Sequence, residues 1–196
     1  MSQKKSKGIR KKNTTQASNT KHSSNVIRYP NLQKHQIIVN PYSEEWLRKD
    51  FDRVYHQEIL ATGTQNKENF SIDDGLWVEI LTTKGSSLGW GITAKNAHTN
   101  SEESIAIFRY FSTFVSEDHR IEELRHRFHA CIKQRQSLQD LGNIYRLIHG
   151  GNDNFPGIRV DRFGHHICCT YASQGLLLLH DAICHWLSEY DFQQGV

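Results

Sequence analysis

The stretch Tyr145–Gly164, YRLIHGGNDNFPGIRVDRFG, sets two apolar runs on either side of a turn-rich loop. Its texture predicts a strand over 144–149, a loop from Gly150 to Gly157 and a second strand over 158–160. Pro156 fixes φ and Gly157 can take a positive φ, so the pair makes a turn that admits a strand immediately afterwards. Asp161-Arg162 beside Gly164 reads as a hairpin end, where Asp accepts backbone N–H bonds and Arg pairs with a carboxylate. Charged residues at a turn chiefly serve the turn, so both are read as architectural rather than as nucleic-acid contacts.

Downstream, a further strand is expected over 167–171, then a helix over roughly 174–189 presenting Leu176, Leu179, Ile183 and Trp186 on one face. Upstream, Ile121, Leu124, Phe128 and Ile132 recur at helical spacing in Glu117–Gln136, with acids near the start and bases near the end, as the helix dipole favours. Before this connecting helix the texture is that of strands: Gln36–Val39, Leu76–Leu81, Leu88–Ile92 and Ile105–Phe111. Ser43-Glu44-Glu45 is read as the cap of a short helix carrying Trp46 and Leu47. The glycines flanking Trp90 suggest a bulge or a close backbone approach. Short strands without long helices between them point to a small barrel or sandwich.

The chain has 196 residues, 24 Lys and Arg against 21 Asp and Glu, and a formal net charge of +3. That value hides an asymmetry. No acidic residue occurs in 1–43, and nine of the 24 bases lie in 1–35, so the remainder is net acidic. Residues 1–25 are Lys, Ser, Thr, Asn and Gln with almost nothing apolar, and are expected to be disordered, either as an RNA-tracking tail or as a solubilising one. No apolar run nears the roughly 18 residues a bilayer span requires, and no secretory signal or disulfide framework is evident, so a cytoplasmic protein without a membrane partner is expected.

Tyr145-Arg146-Leu147, His149-Gly150, Asp153, Pro156-Gly157 and Val160-Asp161-Arg162-Phe163-Gly164 fall, in order and spacing, on the start of the middle domain of a known family. The segment resembles the bacterial large-subunit ribosomal RNA methyltransferase I family, S-adenosylmethionine-dependent enzymes that make 5-methylcytosine. That family usually has Glu where Gly151 stands and an aliphatic residue where Arg159 stands. Gly75–Ile80, Gly85, Leu88–Gly91 and Ile105–Arg109 look like its N-terminal PUA domain, a small RNA-binding pseudo-barrel, although Phe51-Asp52-Arg53 replaces the family's His-Pro-Trp and the polar stretch Asn96–Glu103 replaces a tighter turn. The resemblance covers roughly residues 30–190. It implies an α+β chain with a basic tail at 1–29, a PUA-like β-barrel at 30–115, a connecting helix at 116–142 and a partial middle domain, a β-hairpin and helix, at 143–196. Tyr145, Arg146, Asp153, Pro156, Gly157, Asp161, Arg162 and Gly164 are its structural motif residues.

A class I methyltransferase needs a doubly wound sheet with a glycine-rich turn after its first strand. No such turn is legible here, and the chain is expected to be truncated before that domain, with no cofactor and no catalytic residue of its own. Making 5-methylcytosine takes a thiolate that attacks the ring. None of Cys131, Cys168, Cys169 and Cys184 matches the family's nucleophile, and all four are read as buried small hydrophobes. The 12 His include the pairs His126/His129 and His165/His166 and the couple His180/Cys184, but no recognised zinc spacing occurs, so no metal is expected.

The expected function is that of the RNA-binding part of a ribosomal RNA (cytosine-C5) methyltransferase, inactive alone, with structured RNA, in particular ribosomal RNA, as partner. Lys34, Arg53, Lys84, Lys95 and Arg109 are the candidate phosphate contacts, as cations on barrel edges and loops. Two alternatives belong to other classes. One is half of a split or frameshifted active enzyme completed by a separate catalytic domain, for which the reading frame beyond Val196 is the discriminating observation. The other is a self-associating module, if the apolar face of the last helix is left uncovered.

Overall fold

The computed structural model describes residues 35–63, 73–95 and 105–190. The basic segment 1–29, Lys34, the polar stretch Asn96–Glu103 and residues 191–196 lie outside them. The first half is built from β1 (Gln36–Val39), α1 (Pro41–Arg48), β2 (Arg53–Tyr55), β3 (Ile59–Thr62), β4 (Trp77–Leu81), β5 (Ser87–Lys95) and β6 (Ile105–Phe111). The strands form one sheet in the order β2-β6-β5-β4-β1-β3, with β1 and β4 parallel and every other pair antiparallel. β2 and β3 stand at opposite edges, yet a single 3-10 turn, His56–Glu58, joins them. Edges linked by three residues must lie close together, so the sheet curls on itself.

Its interior is filled by Ile37, Val39, Val54, Val78, Ile80 and Ile107, capped by Leu47 of α1. The cap lies three residues earlier than Ser43: Asn40 is the N-cap, its Oδ1 accepting from the Ser43 N–H at 2.8 Å, and Pro41 occupies the first turn, where a missing N–H costs nothing. Ser43 is buried inside the helix instead. β2 and β3 carry too few residues to show a period in sequence, and only their pairing reveals them as strands. The glycines around Trp90 do admit a close approach. A Cβ on Gly89 would sit 1.9 Å from the Phe111 carbonyl oxygen, and one on Gly91 2.7 Å from that of Phe108. Gly89 has φ +117° beside a register shift between β4 and β5.

The second half comprises α2 (Glu117–Gln134), then β7 (Ile144–His149), β8 (Ile158–Phe163) and β9 (His166–Tyr171) as an antiparallel meander, a 3-10 turn at Gln174–Leu179, and α3 (His180–Ser188). One core spans both halves. Ile92, Phe108 and Tyr110 of the curled sheet meet Leu124 and Phe128 of α2, Leu147, Ile158 and Val160 of the meander, and Ile183 and Trp186 of α3. β6 is therefore covered on both faces, with Ile107 inward and Phe108 and Tyr110 outward, which explains its nearly unbroken apolar sequence. Arg120 closes one end of this core by stacking on Trp90, 4.0 Å from the ring centroid, and on Trp77 at 5.3 Å.

Four expectations are corrected here. The apolar face Leu176, Leu179, Ile183 and Trp186 is covered, each residue at most 3% exposed, so the premise of an open hydrophobic helix fails. The element that carries it is also not one helix, because the Ser173 hydroxyl caps Gly175 and the chain runs as a 3-10 turn before α3. Asp161 and Arg162 do not end a hairpin. They lie within β8, and the turn falls at Gly164-His165, with Gly164 at φ +63°. Of the cysteines only Cys131 is buried; Cys168 alternates outward on β9 and Cys184 faces solvent on α3, while Cys169 is half-buried.

Candidate nucleic-acid interface

The two sheets meet at a polar cleft of about 630 Å³. Its walls come from the α1–β2 link (Asp50, Phe51, Asp52), the end of β6 (Arg109–Ser112), Arg127 of α2 and the loop Gly151–Pro156. Fixed hydrogen bonds hold this mouth. The Tyr110 hydroxyl donates to the Pro156 carbonyl at 2.9 Å, the Arg109 N–H donates to the Asp52 carbonyl at 2.8 Å, and Arg127 Nη1 donates to the Tyr110 carbonyl at 2.7 Å while its guanidinium covers Phe111. Burial raises the Tyr110 hydroxyl well above the usual phenol range.

Arg109 was expected at a barrel edge. It stands instead on an internal strand between β2 and β5, its side chain 7% exposed. The guanidinium reaches the Leu88 carbonyl only at 3.4 Å and the Asp50 carboxylate only at 3.8 Å, lengths at which little of its donor capacity is used. Desolvation lowers its pKa, and the Coulombic attraction of Asp50 and Asp52 partly restores it. A desolvated, incompletely satisfied guanidinium lining a water-accessible cleft is suited to receive an anionic group.

Two shallower depressions share walls with this cleft. One, of about 430 Å³, shares Phe111, Ser112 and Arg127 and extends past His119 and His126. The other, of about 450 Å³, shares Asp52, Gly151 and Asn152 and extends past Arg53, His149 and Arg159. Together they make a continuous groove along the seam between the sheets. Its charge is mixed, with Asp50, Asp52, Glu122 and Glu123 among the arginines.

The other expected cations divide. Arg53 lines the groove, half-buried, with its guanidinium 4.5 Å above the Phe108 ring. Lys84 is exposed in the β4–β5 turn, which is tied to α1 by the Thr83 N–H donating to Glu44 at 2.6 Å, and lines none of these three depressions. Nor does Lys95, whose N–H donates to Asp74 and whose carbonyl accepts from Ser173. Lys34 lies outside the described residues. Phe51, Arg127 and Arg159 also line these depressions. Arg159 alternates with the buried Ile158 and Val160, a period-two signal visible in the sequence, whereas the approach of Arg127 to β6 is long-range and leaves no local trace.

The motif residues form the frame of the second sheet. Arg162 is 1% exposed, with Nη1 donating to the Tyr145 hydroxyl at 2.9 Å and Nε to the Gly164 carbonyl at 2.8 Å. Arg146 pairs with Asp161 across β7 and β8 at 2.7 Å. Asp153 accepts two hydrogen bonds from Arg135, at 2.7 and 2.9 Å, and one from the His149 N–H at 2.6 Å, which fixes the Gly150–Pro156 loop. Gly157 has φ +78°, and a Cβ there would sit 2.5 Å from Leu176. Among the described residues, no three His, Cys, Asp or Glu converge on one point as a metal site would require.

Solved structures share this fold. A candidate SAM-dependent methyltransferase from Streptococcus mutans superposes with a TM-score of 0.62 at 15% sequence identity, over 79% of this chain and 37% of that one. A crystal structure of a candidate methyltransferase complexed with SAH gives the same values. At that identity it is the fold that is shared: a mixed α+β body with a curled sheet. The chain spans 37% of the length of these proteins. No protein-family model matches the sequence, and no curated protein does. No helix among the described residues is long and apolar enough to cross a membrane.

Proposed function

We propose that this chain is the RNA-binding part of a SAM-dependent ribosomal RNA methyltransferase of the cytosine-C5 type, its curled sheet serving as a PUA-like domain. The observation that carries the reading is Arg109, a desolvated guanidinium with long contacts only, facing a polar cleft at the seam of the two sheets. Phosphate is an anion that a planar five-donor fork accepts well, and most protein–RNA hydrogen bonds that position a partner go to the backbone. The match to structures named as methyltransferases, one of them holding SAH, supports the enzymatic context.

On this reading the described residues are not those of a cofactor domain. A doubly wound cofactor domain presents a glycine-rich turn between a strand and the helix that returns to a parallel neighbour. Here β1 and β4 are the one parallel pair among the described residues, and the chain between them runs through α1, β2 and β3. Gly150-Gly151 opens a 3-10 turn between antiparallel strands. Methyl transfer on this reading belongs to the part of the enzyme beyond the shared 37%, and this chain's own task is to hold the RNA.

The test is fluorescence anisotropy with a labelled ribosomal RNA stem-loop across a salt series. Salt-dependent binding that survives deletion of residues 1–25 is expected. Absence of salt-dependent binding, or its complete loss on that deletion, overturns the reading.

A further inference from the structure

The open face of the second sheet is not used by the cleft. β8 alternates strictly: Ile158, Val160 and Arg162 are at most 1% exposed, while Arg159, Asp161 and Phe163 point the other way. Cross-strand register extends these three outward residues into rows. Arg159 lies between His149 and Thr170, Asp161 between Arg146 and Cys168, and Phe163 between Ile144 and His166. Phe163 is 50% exposed and Ile144 70%, so no layer of the described residues covers this end of the face.

Resting on the RNA-binding reading, we infer that this face is a stacking platform for a single-stranded RNA segment that leaves the cleft. Continuity is the first argument. His149, Arg159 and Thr170 line the depression that shares Asp52, Gly151 and Asn152 with the cleft, so the row nearest the seam is already part of the groove. Charge is the second. The face carries Arg159, Arg146 and histidines against one carboxylate, Asp161, which Arg146 neutralises at 2.7 Å, leaving Arg159 free of any ion pair within 4 Å among the described residues. The aromatic is the third. A phenyl ring lying open on a sheet among cations gives bases a sequence-tolerant stacking surface, the arrangement that single-strand binders combine with a backbone-tracking groove. A second copy of the chain fits less well, because the apolar part is one Phe–Ile pair and the rest is polar or charged.

The test uses the full chain with a labelled single-stranded RNA of mixed sequence, comparing Phe163→Ala, Arg159→Ala and the cleft variant Arg109→Gln. Both face residues are exposed, so melting temperatures should match the parent and folding does not confound the result. Phe163→Ala should weaken binding about tenfold with an unchanged salt slope, and Arg159→Ala should reduce the slope of log K against log salt by about 0.7. Parent-like binding by both face variants, with Arg109→Gln impaired, overturns this inference and leaves the RNA reading standing. Loss of self-association in the face variants by sedimentation, with RNA binding intact, assigns the face to a second copy and also overturns it. A parent chain that does not bind RNA at all removes both.

Discussion

The Tyr110 hydroxyl and the Pro156 carbonyl, 2.9 Å apart, join the last strand of the curled sheet to the loop between β7 and β8 of the second. Because both groups are buried, the bond cannot be replaced by water without opening the seam. Tyr110→Phe should therefore destabilise the fold by about 1–2 kcal/mol, read from urea denaturation, because it strands the carbonyl while preserving the ring's packing. A variant with parent stability would show that the two halves are held by apolar burial alone.

Gly89 is the position where backbone meets backbone. With φ at +117° and the Phe111 carbonyl oxygen 1.9 Å from where a Cβ would stand, no side-chain rotation relieves the clash. Gly89→Ala should destabilise by on the order of 3 kcal/mol or more, and thermal unfolding of the purified variant measures it. Gly142 is the internal control: a Cβ there meets nothing within 4 Å, although its φ of +154° leaves some backbone strain.

What the sequence disclosed followed the reach of each signal. β6 was legible to the residue because a run of seven interrupted only by Arg109 can be little else, and α2 because four apolar residues recur at its period. The glycines around Trp90 announced the close approach they make. β2 and β3, of three and four residues, were invisible because pairing at opposite edges of a curled sheet is a long-range property. Arg162 illustrates the remaining difficulty. Two charged residues before a glycine resemble a turn, and only the burial of alternate neighbours shows a strand whose inward arginine is sheathed by Tyr145. The cleft was legible in part: Arg109 was singled out for its charge, but the reasons that distinguish it, burial and long contacts, exist only in three dimensions.

Asp153 organises the loop between β7 and β8 by accepting from Arg135 through both oxygens and from the His149 backbone. Its side chain is 9% exposed and that of Arg135 18%, so removing one partner leaves a largely desolvated charge. Asp153→Ala should destabilise by about 3 kcal/mol, whereas the double variant with Arg135→Met should recover a good part of that loss. Equal stability of the single and double variants would contradict the coupling.

Alkaline pH should weaken the fold. Burial pushes the Cys169 thiol up from 9.0 to about 11, and Tyr171, Tyr190 and above all Tyr110 are raised for the same reason. Each raised pKa means that the folded state keeps a proton which the unfolded state gives up, so stability is full below the unfolded value and falls as pH rises through the folded one. Melting temperature should decline from about pH 9 upward. Cys169→Ala should lessen the fall that begins near pH 9, to which Cys131 also contributes, and leave the loss that begins near pH 10, where the tyrosines of the unfolded chain ionise. A melting temperature constant to pH 11 would show that these groups are no better shielded in the folded chain than in the unfolded one.

On the proposed RNA-binding reading, the cleft and the basic segment should make separable contributions to RNA binding. Residues 1–25 carry seven Lys and Arg, and their deletion should flatten the salt dependence strongly while leaving measurable affinity. Arg109→Gln keeps much of the side chain's volume and polarity but removes the charge. Because the guanidinium makes only long contacts to Leu88 and Asp50, folding stability should change by less than about 1 kcal/mol, while affinity for a structured RNA falls by about tenfold. Anisotropy titrations and thermal melts on the same preparations check both halves. A large loss of stability with unchanged RNA affinity would make Arg109 a structural cation and move the interface off this cleft.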